Sequence, residues 1–167
     1  DQYIQSKQSE AKRLLRLYAL SDSVQDALWK HLDVPYFLRH ESQEIAWHTR
    51  QLHYRPEADK PVVKARLSPA GEGLQVMIYV RDQKDLFARI CIFFELCSYS
   101  VMDAKIYTTR HGDALDSFQI TDPNNRTPQS RDVIGFIEYE LGQRLLHQVP
   151  LEAPAQGRIS RHLNPFP

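Results

Sequence analysis

No block of five like charges occurs in the 167 residues, and 21 Lys and Arg balance 21 Asp and Glu. Without such a track the chain offers no electrostatic path to a polynucleotide or an anionic bilayer, so neither nucleic acid nor membrane is an expected partner. Long hydrophobic runs are missing too. The longest, ICIFFELC over 90–97, is broken by Glu95 and falls far short of the roughly 20 apolar residues that cross a bilayer; a soluble protein is expected. Cysteine is scarce, with Cys91 and Cys97 the only two. On one helix they would lie about 9 Å apart along the axis and on different faces, which no disulfide spans. With no C-x-x-C and no secretory signal, they read as two small buried hydrophobes in a reducing cytoplasm. An initiating Met is also absent, and Asp1 leads directly into helix-like sequence, as in a piece cut from a longer chain.

What is present divides by hydrophobic period. Over 9–55 the pattern is helical: Leu14, Leu17 and Tyr18 recur at helical spacing, and Ser23 with Asp26 resembles a capping box before Ala27, Leu28 and Leu32. Pro35 closes that segment. A further helix is expected from near Ser42 to before Pro56, with Ile45, Thr49 and Leu52 on one face. From Pro61 the period becomes two. VVKARLS (62–68) and LQVMIYV (74–80) flank PAGEG and predict a β-hairpin, with Leu74, Val76, Ile78 and Val80 facing helices. Residues 83–98 predict a helix with the stripe Leu86, Ile90, Phe93 or Phe94 and Cys97. VMDAKIYTT (101–109) places Met102, Ala104, Ile106 and Thr108 on one side, and pairs through His111-Gly112-Asp113 with ALDSFQI (114–120), where Phe118 and Ile120 face helices. After a loop over 122–128, Ser130 opens a helix carrying Ile134, Ile137, Leu141 and Leu145.

This order predicts an α+β fold: a ββαββα sandwich of a four-stranded antiparallel sheet with two helices on one face, preceded by helical segments. The short loop makes pairing of 62–68 with 74–80 the cheapest in closure entropy. The strand-like piece RISRH (158–162) is then not needed beside 74–80.

The segment YVRDQKDLFARICIFFELCSYSVMDAKIYTTRHGDALDSFQI resembles an ACT domain, the ferredoxin-like ligand-sensing module of amino-acid metabolism. The likeness lies in the strand-to-helix turn at Asp82, the helix opening Leu86-Phe87-Ala88-Arg89-Ile90, the strand with Ala104 and Ile106, and Asp116-x-Phe118. The preceding YFLRHESQEIAWHTRQL (36–52) is similar to the connector before the first ACT domain in the bifunctional PII uridylyltransferase/uridylyl-removing enzymes. That resemblance implies residues 1–59 as the end of an HD-type region and connector, 60–149 as the ACT domain, and 150–167 as a tail toward a second ACT domain. It implies a cytoplasmic enzyme that uridylylates the PII protein when glutamine is scarce and reverses this when glutamine is plentiful, with Mg or another divalent metal in its catalytic domains. The catalytic domains, the second ACT domain and PII are the implied partners, and glutamine the implied effector. No Gly-Ser with Asp-x-Asp and no His-Asp dipeptide occurs here, so this chain is expected to hold no catalytic residue or cofactor.

The resemblance implies a ligand site at Asp82, Gln83, Lys84, Asp85, Leu86 and Phe87 together with Ser100, Val101 and Asp103. In the family a glycine in this turn lets backbone N–H groups approach a carboxylate. No glycine stands here, and Asp82 and Asp85 oppose such a ligand. The alternative makes Asp82 a helix N-cap with Asp85 favoured by the helix dipole, and the domain a docking module that dimerises through a sheet edge.

Other constellations read as structure. His40, Glu44 and His48 have helical spacing, but H-E-x-x-H is not formed and a solvated helix face accounts for them. Tyr36, Phe37 and Trp47 read as packing of the connector against the sheet. Asp116 beside Ser117 lacks a placed His and reads as a carboxylate fixing a turn. Met77, Tyr79, Lys105 and Tyr107 fall on an open sheet face, but without a basic surface or ribonucleoprotein motif they do not make an RNA platform.

Overall fold

The computed structural model describes residues 1–54, 60–69, 71–124 and 131–148. The expected helix start at Ser130, the end of the preceding loop and RISRH lie outside them.

Strands β1 (Val62–Leu67) and β2 (Leu74–Arg81) pair antiparallel, with Leu67 opposite Leu74 and Val62 opposite Tyr79. Ser68 N–H donates to Gly73 O at 3.0 Å to close the hairpin. Gly73 is required there: its φ is +91°, and a Cβ would come within 2.1 Å of Ile120 O. Strands β3 (Ser100–Lys105) and β4 (Asp113–Thr121) complete a four-stranded sheet ordered β1-β2-β4-β3, antiparallel throughout. The ββαββα order is as expected, and β1 holds the position predicted for it.

Helices α5 (Leu86–Leu96) and α6 (Arg131–Leu146) cover one face. The alternation of the strands delivers Val76, Ile78, Val80, Phe118 and Ile120 to that face, and the helical stripes deliver Ile90, Phe94, Ile137, Leu141 and Leu145. Each such side chain contributes about 1.5–3 kcal/mol when fully buried. Phe118, 1% exposed, has its ring 5.6 Å from that of Phe94.

Four local expectations are corrected. Strand β3 carries a register shift between Val101 and Asp103. This bulge resets its alternation, so Val101 and Ala104 pack on the core while Met102 and Ile106 stay exposed. Helix α5 is shorter than 83–98 at both ends. It starts after Asp85, whose φ of 58° is left-handed, and ends in a Schellman turn with Ser98 at φ 66°. In that turn Tyr99 N–H donates to Phe94 O and Ser98 N–H to Glu95 O, both at 2.9 Å.

The third correction concerns the opposite face, which is covered. Helices α1 (Gln2–Arg16), α2 (Asp26–Trp29), α3 (Val34–Arg39) and α4 (Ser42–Leu52) lie across it. Met77 is fully buried and Tyr107 nearly so, in one cluster with Leu115, Tyr36, Phe37, Ile45 and Trp47. The expected packing role of the aromatic trio is what the structure shows, with the rings of Tyr36 and Tyr107 5.3 Å apart.

The helical layer has its own logic. Pro35 sits in the first turn of α3, where its missing N–H costs nothing, so it both ends one segment and opens the next. The orphan carbonyls at the end of α3 are taken by buried Lys7 of α1, whose Nζ donates to Phe37 O, Leu38 O and His40 O at 3.1, 3.0 and 2.9 Å. Glu41 and Glu44 form a reciprocal capping box at the start of α4. The capping box expected at Ser23 and Asp26 is not formed, since the N-cap of α2 is Gln25 without a side-chain bond. Among the described residues no helix is long and apolar enough to cross a membrane.

Candidate functional site

The residues expected to hold a ligand do not converge. Arg81 pairs with Asp113 at one end of β4, and Ser100 pairs with Thr121 at the other. Eight residue steps along β4 separate these ends, roughly 27 Å at about 3.4 Å per residue. Asp82, Gln83, Lys84, Asp85, Leu86 and Phe87 therefore gather at one end of the sheet while Ser100 and Val101 lie at the other, with Asp103 opposite Gln119 between them. Within one chain the nine residues form no common pocket.

The turn itself is wired for connection. Asp82 N–H donates to Gly112 O and Gln83 N–H to Asp82 Oδ1, both at 3.0 Å. Asp82 is thus not the helix cap. That position is Asp85, with no side-chain capping bond. Arg89 of α5 donates to the Gln83 side chain and to Arg144 O, tying the turn to α6. Leu86 is buried beneath it while Phe87 is half exposed and stacks on Phe118.

The polar groups that do converge lie between the helical layer and the sheet. Strand pairing sets two rows on that face: Arg66, Gln75, Gln119 and Asp103, then Lys64, Met77, Ser117 and Lys105. Helix α4 lowers Glu44 and His48 onto them. Glu44 accepts from Lys105 Nζ at 2.5 Å and from Gln75 Nε2 at 3.1 Å. His48, fully buried, bridges Tyr36 Oη at 2.7 Å through Nδ1 and Ser117 Oγ at 2.9 Å through Nε2. Arg66 donates to Gln75 Oε1 at 2.7 Å and stacks over Trp47 at 4.2 Å.

Burial dominates the electrostatics of this seam. It holds the His48 imidazole well below the usual histidine range, assisted by the charges of His40, Arg66 and Lys105. His40 is lowered by burial as well, although its bond to Tyr36 O works against this. Tyr36 is pushed well above the ordinary phenol range. The seam is therefore neutral at its centre, with the Glu44–Lys105 pair at its edge.

Reading His40, Glu44 and His48 as a solvated helix face was wrong: none is more than 6% exposed. Tyr36, His40, Glu44 and His48 recur every fourth residue, and this regular polar stripe was the available signal. Lys7, Gln75, Arg66 and Lys105 carried none, because their partners lie 9 to 61 residues away. Among the described residues no group of three or more His, Cys, Asp or Glu is disposed to hold a metal ion.

On the other face, Asp116 is 1% exposed and accepts from Tyr107 N–H at 3.2 Å. It closes the gap where β3 leaves the sheet, and burial raises its carboxyl to about 7.

Sheet order, antiparallel pairing and helix-covered faces define a ferredoxin-like ACT domain carrying a helical layer. A family model described as the fifth domain of the uridylyltransferase GlnD matches residues 1–51, which are the helical layer up to the last turn of α4. Bifunctional uridylyltransferase/uridylyl-removing enzymes match nearly the whole chain. The one from Aromatoleum aromaticum is 52% identical over 98% of this chain, that from Cupriavidus pinatubonensis 53% over 96%, and that from Chromobacterium violaceum 50% over 98%. The chain belongs to this family as one segment of it, spanning about a fifth of the length of each of these relatives (19%).

Proposed function

We propose that this chain is the regulatory segment of a cytoplasmic bifunctional uridylyltransferase/uridylyl-removing enzyme, making modification of the PII protein responsive to glutamine. In this reading residues 1–59 form the connector from the HD-type region, 60–149 the first ACT domain and 150–167 the tail toward a second. Both chemistries and their divalent metal belong to domains outside the chain, which itself neither transfers nor removes uridylyl groups.

The observation that carries the reading is the polar seam. An effector acts only by binding two states unequally, and a sheet clamped to the connector through Glu44–Lys105, Gln75–Glu44 and Ser117–His48 passes any displacement to whatever the connector joins.

The test is Ser117→Val in the intact parent enzyme, which cuts the seam at His48. Basal transfer and removal should persist while the glutamine response of both weakens. An unchanged glutamine response would refute the reading.

A second reading, a docking module that never touches glutamine, is favoured by the scatter of the expected ligand residues over opposite ends of the sheet. Its contact would be an edge strand. On β1 the Ala65 N–H is occupied by Glu138 Oε2 at 2.9 Å, whereas bulged β3 presents exposed Met102. Dimerisation in solution abolished by Met102→Lys, with no glutamine binding, would establish it.

A further inference from the structure

Two imidazoles are buried where the helical layer meets the sheet. His40 and His48 are both fully enclosed, with ring centroids 5.4 Å apart. His40 donates its Nδ1–H to Tyr36 O, and its buried Nε2 has no hydrogen-bond partner. His48 ends on hydroxyls at both nitrogens, Tyr36 Oη and Ser117 Oγ. Among the described residues neither ring is bonded to a carboxylate. We propose that this pair is an acid-operated latch: proton uptake by His40 and His48 releases the helical layer from the sheet while the side of the sheet covered by α5 and α6 stays folded.

The surrounding charges decide the direction. Helix α1 brings Lys7, whose Nζ donates to His40 O, α3 brings Arg39, β1 brings Arg66 and β3 brings Lys105. The carboxylate that reaches the pair is Glu44 of α4, and Lys105 already holds it. Strands β2 and β4 contribute neutral groups, Gln75, Met77 and Ser117, and burial keeps the Tyr36 and Tyr107 phenols protonated. Protons added here therefore enter a site whose cations outnumber its anion. A charged His48 still donates to both of its oxygens, so no bond is lost. What opens the seam is an unneutralised charge in a dry interface, which water relieves only when the layer moves away.

The two sides of the sheet answer acid in opposite senses. Burial lowers both imidazoles from their ordinary 6.5, so the unfolded or opened chain takes up the protons first, and the seam weakens as pH falls below that value. On the far side Asp116 is raised to about 7, so its stabilising protonated form fills as pH falls through that value. Among the described residues the two hydrophobic clusters share no member: one joins the sheet to α5 and α6, the other joins it to the helical layer. A sheet with two helices on one face is a complete two-layer architecture without the connector. For the parent enzyme the consequence rests on the regulatory reading, since a detached sheet passes no displacement to the connector. The latch itself belongs to this chain.

The experiment takes the full chain from about pH 7 to about pH 4 and reads tryptophan emission together with hydrogen exchange corrected for intrinsic rate. Both tryptophans, Trp29 and Trp47, lie in the helical layer, Trp47 beneath Arg66 of β1. Emission should move to longer wavelength and α4 should lose protection while α5 and α6 keep theirs. Each ring that must be charged before release multiplies the open-to-closed ratio by up to about tenfold per pH unit. His48→Gln should remove about one such factor from the steepness, as should His40→Gln, and each should move release to lower pH. Should His48→Gln not fold, the ring Cε1–H signals of wild-type His40 and His48 decide, and they should report protonation over the same interval as the emission change. Emission unchanged down to about pH 4, loss of protection in α5 and α6 together with α4, unaltered steepness in both variants, or rings that stay neutral through release would each overturn the proposal. The regulatory reading fails separately, through an unchanged glutamine response of the Ser117→Val parent.

Discussion

Replacing Asp116 with Asn should change how stability depends on pH, in a direction the structure fixes. In the unfolded chain this carboxyl titrates near its ordinary value of 3.8, while in the folded chain burial on the helix-covered side of β4, opposite Ile78, raises it to about 7. Between those values the folded state binds more protons than the unfolded one, so stability contributed by Asp116 is fully present below about pH 4 and is lost as pH rises to 7. The span is about three pKa units, and at ~1.36 kcal/mol per unit the ionised carboxylate costs roughly 4 kcal/mol above pH 7. Asn keeps an oxygen for Tyr107 N–H but buries an amide NH₂, with a penalty of about 1–3 kcal/mol that does not depend on pH. The informative quantity is therefore the pH dependence of the difference between Asp116→Asn and wild type. Urea melts from pH 5 to pH 8 should show the variant gaining about 2–3 kcal/mol relative to wild type across that range, about two units of which precede the folded pKa. Parallel stability curves would refute the buried, protonated carboxyl and the register that places it.

His48 acts in the opposite sense. Its folded pKa lies well below the ordinary 6.5, so the unfolded chain takes up the proton first, and stability is lost as pH falls below about 6.5; His48→Gln should flatten that acid limb, as read by thermal melts of both forms in the Asp116→Asn background. Phe118→Ala should cost about 3–5 kcal/mol in denaturant melts, and a loss under about 1 kcal/mol would contradict its place against Phe94. Ser98→Gly should stabilise by about 0.5–1 kcal/mol, because a left-handed φ strains every residue but glycine; destabilisation would contradict the Schellman turn.

The helix-covered core was legible because local pattern and tertiary role coincide there. Leu74, Val76, Ile78 and Val80 alternate, Ile137, Leu141 and Leu145 repeat at four, and a five-residue turn signal closes the first hairpin, so period and loop length suffice. Strand β3 misled because a one-residue bulge at Met102 inverts every later side chain while leaving the composition unchanged. The turn before α5 misled for a similar reason: Asp82 and Asp85 are equally good caps by type, and only the left-handed φ of Asp85 tells which residue the helix starts after. The seam was the least legible part. Glu44 and His48 look solvated until Lys105, Gln75 and Ser117 come to them from across the fold, and pairings over 31 to 69 residues leave no local trace.

Sheet and helical layer should respond to effector as one unit inside the parent enzyme. The direct measurement is hydrogen exchange of that intact enzyme with and without glutamine, read in the peptides covering α4 and those covering β3 and β4. Protection should change in both sets together and at the same glutamine concentration, because each bond of the seam has one end in each. A change confined to one set, or none in either while PII modification still responds to glutamine, would contradict it.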